Sequence, residues 1–75
     1  MTHIDPSQNM RRFYRLSLER TLFGEITLVR TWGRIGTHGQ TMFQTYDHLS
    51  DAKTTYQALR AAKEKRGYRS DSPNP

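Results

Sequence analysis

The spacing of apolar residues changes once along this chain, from every second residue to every third or fourth, and that change dictates two layers. Phe13 to Glu19 alternates, with Tyr14, Leu16 and Leu18 on one side and Arg15, Ser17 and Glu19 on the other, the period of a half-buried strand. Glu25 to Trp32 is rich in β-branched residues and sets Ile26 and Leu28 against Thr27, Val29 and Thr31; with Gly24 in the connection it predicts a hairpin. Thr41 to Tyr46 is a third strand, with Met42 and Tyr46 on one face and Phe43 on the other. From Ser50 onward the period is helical: Ala52, Tyr56, Leu59 and Ala62 form one stripe. Ser50 is the expected N-cap and Asp51 suits the first turn. Lys63, Lys65 and Arg66 load the last turn, and Gly67 stands where a C-terminal cap belongs. The stripe must cover a face of the sheet, so the expected fold is α+β: a small antiparallel sheet of at least three strands packed against one C-terminal helix.

Seventy-five residues suffice for one domain and not for two. Met1 to Asn9 and Ser70 to Pro75 offer little to bury, so residues 1–9 and 70–75 are expected as disordered tails around a domain over 10–69. Only 33% of the residues are apolar, which leaves much of the core to Phe13, Tyr14, Phe23, Trp32, Phe43, Tyr46, Tyr56 and Tyr68. Without cysteine neither a disulfide nor a thiolate metal site can reinforce the fold. His3, His38 and His48 are scattered away from other ligand types, so no metal site is expected. No signal peptide or membrane span is visible, and a cytoplasmic location is expected.

Twelve basic residues against seven acidic ones give a net charge of +5. Nine of the twelve are arginine, whose planar fork suits bidentate contact with phosphate. The balance favours a polyanion partner over the alternative that the charge merely keeps a small protein soluble. Catalysis would need a nucleophile, a base and an orienting group in one cleft. The serines, histidines and aspartates lie mostly in tails or solvated positions, so no enzyme activity, catalytic residue or cofactor is expected.

Trp32-Gly33-Arg34-Ile35-Gly36-Thr37-His38-Gly39-Gln40 resembles the signature of the WGR domain. Arg11-Arg12-Phe13-Tyr14 is similar to the opening of the family's first strand, and Lys63 to Tyr68 to its closing Lys, Gly and aromatic pattern, so the resemblance covers nearly all of Arg11 to Tyr68. Known members include a domain of eukaryotic DNA-dependent poly(ADP-ribose) polymerases, bacterial proteins related to a molybdate regulator, and short free-standing bacterial proteins, the kind this chain looks like. In the polymerases the domain touches the 5′ end at a DNA break, with its tryptophan packed on a terminal sugar and its motif arginine near the phosphate or the partner domains. The resemblance implies those roles for Trp32 and Arg34, and backbone contacts for Arg11 and Arg12. Many members carry a basic residue directly before the tryptophan. Here that position is Thr31, with Arg30 one residue earlier, and one residue along a strand means the opposite face.

The expected nucleic-acid contacts are therefore Arg11, Arg12, Arg30, Trp32, Gly33, Arg34, Gly36, His38, Gly39 and Gln40. Taken residue by residue, alternatives stand beside these roles. Trp32 shares the strand periodicity of Ile26 and Leu28, so a core anchor and a stacking contact fit equally. Arg34 suits phosphate, or an ion pair with Glu19 or Glu25. The glycines do not form a nucleotide fingerprint and are read as turn geometry. Lys53, Arg60, Lys63, Lys65 and Arg66 either extend a DNA-facing surface or make a solvated helix face. The expected function is a non-enzymatic module that binds duplex DNA near its ends, with RNA left open. The alternative is a protein interaction adaptor using the same Trp32 and Arg34 surface.

Overall fold

A computed structural model describes residues 1–70. The chain runs β1 (Thr2–Asp5), a 3-10 turn (Pro6–Gln8), β2 (Met10–Arg20), β3 (Ile26–Arg34), β4 (Gln40–Tyr46) and α1 (Leu49–Lys65). The strands form one antiparallel sheet in the order β1-β2-β3-β4, and α1 packs across β2, β3 and β4. The α+β fold read from the two periods is thus the one observed.

Register assigns the faces. Leu18 pairs with Leu28, which pairs with Gln44, and Ile26 pairs with Tyr46. The helix covers this side. Leu28 and Ala52 are fully buried, and Tyr14, Ile26 and Tyr68 complete the buried apolar set. The core is smaller than the aromatic content implied. Phe43 is 68% exposed on the uncovered sheet face, and Phe23 is 89% exposed beside Leu22 at the tip of the β2–β3 hairpin. That tip is ordered by Thr21, whose Oγ1 accepts from the backbone N–H of Phe23 and of Glu25, both at 3.2 Å.

The first nine residues, expected as a disordered tail, belong to the folded unit. Thr2 stands opposite Phe13 and Asp5 opposite Met10 in the β1–β2 ladder. The Met1 ammonium donates to the Tyr14 carbonyl at 3.0 Å, and Thr2 and Arg69 exchange two backbone hydrogen bonds of 2.9 and 2.8 Å. Asp5 closes the 3-10 turn by accepting from Ser7 N–H and Ser7 Oγ. These attachments are largely backbone bonds, which leave no apolar alternation in Thr-His-Ile-Asp to read. The boundary expected at residue 10 therefore moves to the start of the chain, while residues 71–75 of the expected C-terminal tail lie outside the described residues.

The helix begins one residue before the expected cap. His48 occupies the N-cap without a side-chain cap bond, and Ser50 lies inside α1. At the other end Gly67, at φ +103°, donates to the Glu64 carbonyl while Tyr68 N–H reaches the Lys63 carbonyl. This is the paired closure that a glycine just past a helix permits. It reverses the chain and drops Tyr68 edge-on against His3 and Tyr14, with centroids 5.3 and 6.2 Å apart. The inward stripe ends on a different residue from the one expected: Ala62 is exposed and Lys63 is half-buried.

A candidate anion-binding cleft

Strand alternation brings three arginines and the tryptophan to the helix side of the sheet. Arg12 pairs with Arg34, Tyr14 with Trp32, and Leu16 with Arg30, so Arg12, Arg30, Trp32 and Arg34 share the face of the core but lie where α1 runs out. The last turn of the helix adds Lys63 and Arg66. Trp32 is half-buried and forms part of the wall of two clefts. The inner one, of about 270 Å³, is lined by Tyr14, Arg30, Trp32, Leu59, Ala62, Lys63 and Arg66. The outer one, of about 230 Å³, is lined by Arg12, Trp32, Gly33, Arg34, Lys63 and Tyr68. A third hollow continues past Arg12 and Lys63 to His3 and Met10.

No carboxylate lines any of these three hollows. Five permanent or near-permanent cations, Arg12, Arg30, Arg34, Lys63 and Arg66, therefore converge without an acidic partner on the cleft walls. Their mutual repulsion registers on Lys63: burial holds its pKa below the ordinary lysine value, and the charges of Arg66, Arg30 and Arg12 push it the same way. Two ring faces oppose that repulsion. The Lys63 ammonium lies 4.5 Å from the centre of the Tyr14 ring and 5.4 Å from that of Tyr68. Arg30 sits 5.9 Å from the Trp32 ring and donates through Nη2 to the Met42 sulfur. Its Nε is buried without a partner among the described residues. Like charges held this close to one another favour a bound anion.

The glycines position the tryptophan. A Cβ on Gly33 would stand 2.7 Å from the Gly39 Cα, and one on Gly39, at φ +72°, would strike the Trp32 carbonyl. Only two glycines permit the β3–β4 loop to fold this tightly against the strand end. The carbonyl of Arg34 accepts from both the N–H and the hydroxyl of Thr37, which fixes the turn that follows.

Of the residues singled out in the sequence, Arg12, Arg30, Trp32, Gly33 and Arg34 line the clefts. Arg11 does not; it pairs with Ile4 in register and occupies the opposite face from Arg12. Gly36, His38 and Gly39 belong to the exposed loop, and Gln40 stands across from Trp32 at the start of β4. The ion pair of Arg34 with Glu19 or Glu25 does not form: Glu19 pairs with Thr27 and Glu25 lies in the hairpin turn, both toward the other end of β3. Arg30, displaced by one residue from the family's basic position, thereby shares the face of Trp32. Among the helix cations only Lys63 and Arg66 line the clefts, whereas Arg60 pairs with Glu64 at 3.5 Å. Tyr14 and Tyr68, expected in the core, wall the clefts as well. The signal for Lys63 is the spacing Ala52, Tyr56, Leu59, Lys63, which continues the stripe as well as Ala62 does.

Fold and site together define a small α+β module with an aromatic-walled cationic cleft. The chain belongs to the WGR family, whose domain model matches residues 1–75. It is similar to an uncharacterized protein, y4dW, of Sinorhizobium fredii (strain NBRC 101917 / NGR234), with 50% identity over 66 residues. The match covers 88% of this chain and 32% of that protein, so the chain spans about a third of the length of its relative. No solved structure matches it significantly. Among the described residues no helix is long and apolar enough to cross a membrane, and no group of three or more potential ligands could hold a metal ion.

Proposed function

We propose that the chain binds nucleic acid, and specifically duplex DNA near an end. The observation that carries this reading is the set of five cations around a half-buried tryptophan with no carboxylate among the lining residues. Arg12 and Arg34, paired across the β2–β3 ladder, supply forks for successive phosphates, and Lys63 adds a third charge. Trp32 offers its indole to a terminal sugar or base, which requires an end because a stacked interior pair presents no such face. Gly33, Gly36 and Gly39 shape the loop, and His38 and Gln40 flank the approach. Arg30 sets the charge beside the indole. Arg11, on the far face, contributes to the general field and not to the cleft. The chemistry gathered here is that of binding, and the reading requires no cofactor.

The test is a fluorescence polarisation titration of blunt duplex, closed hairpin, single-stranded DNA and duplex RNA at several salt concentrations. Neutralising about three phosphates predicts a slope near −3 in log affinity against log salt, with the blunt duplex bound most tightly. Absence of binding to all four at low salt would move the same Trp32 and Arg34 surface to a protein partner.

A further inference from the structure

The inner cleft differs from the outer one in having aliphatic side chains beside its rings. Leu59 and Ala62 of α1 and the rings of Tyr14 and Trp32 form its walls, and Arg30, Lys63 and Arg66 supply charge. A flat hydrophobic wall beside a cluster of cations matches a ligand with an aromatic plane at one end and phosphate at the other. We propose that this cleft is a binding site for a mononucleotide, with the base against Trp32 and the phosphate among Arg30, Lys63 and Arg66.

Size favours a single unit over a polymer. At about 270 Å³ the hollow falls just under the roughly 300–1,000 Å³ of ordinary small-molecule sites. One nucleotide fills it with part of its sugar in solvent. Two of the three charges need no rearrangement to receive phosphate. Lys63 is held over Tyr14 and Tyr68, and Arg30 is fixed by Trp32 and Met42, so ordering costs are met before the ligand arrives. Arg66, at the helix C-cap, is exposed and free to close over the phosphate. Because Trp32 and Lys63 wall both clefts, a nucleotide in the inner one competes with a duplex end in the outer one. The inner site itself does not depend on the duplex reading.

Calorimetric titration of the full chain at low ionic strength with AMP, adenosine and inorganic phosphate tests the assignment. AMP should bind one to one and at least about ten-fold more tightly than either fragment, since it alone satisfies both halves of the site. Trp32→Ala should bring AMP down to the affinity of phosphate, and Arg66→Met should weaken AMP and phosphate alike by roughly five-fold. Saturating AMP should displace a labelled blunt duplex. Equal affinity for AMP and phosphate, or an AMP affinity untouched by Trp32→Ala, overturns the proposal, as does a duplex that stays bound at saturating AMP. AMP binding with no duplex binding would sink the DNA-end function and leave the nucleotide site standing. Duplex binding without AMP binding would do the reverse.

Discussion

The ammonium of Lys63 lies 4.5 Å from the centre of the Tyr14 ring, and through this contact the core and the cationic cleft share a wall. Tyr14 is 4% exposed and anchors β2 under the helix end. Lys63 occupies the place where the inward stripe of α1 would otherwise carry an apolar residue. The domain therefore gives up part of its hydrophobic contact at the helix end to hold a positive charge.

That substitution of charge for packing has a pH signature. The Lys63 pKa is lowered in the folded chain, first by burial and then by Arg66, Arg30 and Arg12, so near the alkaline end the unfolded chain binds more protons than the folded one. Its contribution to stability is complete above the ordinary lysine value of 10.5 and is lost as pH falls through the depressed folded value. Melting curves of the native chain and Lys63→Met from about pH 7 to about pH 11, through the ordinary lysine value, should show the native chain gaining on the variant as pH rises. At neutral pH the variant should bind duplex more weakly, with a salt slope shallower by about one. A difference in melting temperature that does not change with pH would show that Lys63 is not destabilised in the fold.

Tyr14→Phe separates packing from polarity. The Tyr14 hydroxyl is buried with no hydrogen-bond partner among the described residues, and an unsatisfied buried hydroxyl costs about 1–3 kcal/mol. Removing it while keeping the ring under Lys63 should stabilise the domain by about 1 kcal/mol, which raises the melting temperature by roughly 4–8 °C. A fall in thermal denaturation midpoint would mean that the hydroxyl is satisfied in solution.

Deleting residues 1–9 should be costly. It removes β1, both backbone bonds between Thr2 and Arg69, and the His3 ring that packs on Tyr68. A loss of about 2 kcal/mol corresponds to a fall of roughly 8–16 °C in a domain of this size. Circular dichroism melts of the two chains decide the matter, and midpoints within a degree or two would restore the first nine residues to the status of a tail.

What the sequence made legible was what side-chain periodicity records. Ile26 and Leu28 against Thr27 and Val29, and Ala52, Tyr56 and Leu59 along α1, announced the β2–β3 hairpin and the helix because each buries one face, whereas β4, of which only Tyr46 is half-buried, was legible by its strand composition. β1 left no such trace, since its attachment is largely backbone pairing. The convergence of Arg12, Arg30, Trp32 and Arg34 follows from alternation and register once the β2–β3 hairpin is known, and alternation also parts Arg11 from Arg12. Lys63 was hidden because a lysine in a last turn is ordinarily explained by the helix dipole. Phe23 and Phe43 lie outside the core expected from aromatic content, because that content says nothing about which face or loop tip carries the ring.

End recognition rests on Trp32, and paired melting and binding measurements on Trp32→Ala test it most directly. Trp32 is half-buried between two clefts, so its truncation should leave a folded domain with reduced stability. Affinity for an open duplex end should drop by about 1–3 kcal/mol, while the weaker binding to a closed circle, which offers no terminal nucleotide, should be unchanged. Equal loss on ends and circles, or no loss on either, would contradict end recognition by the indole.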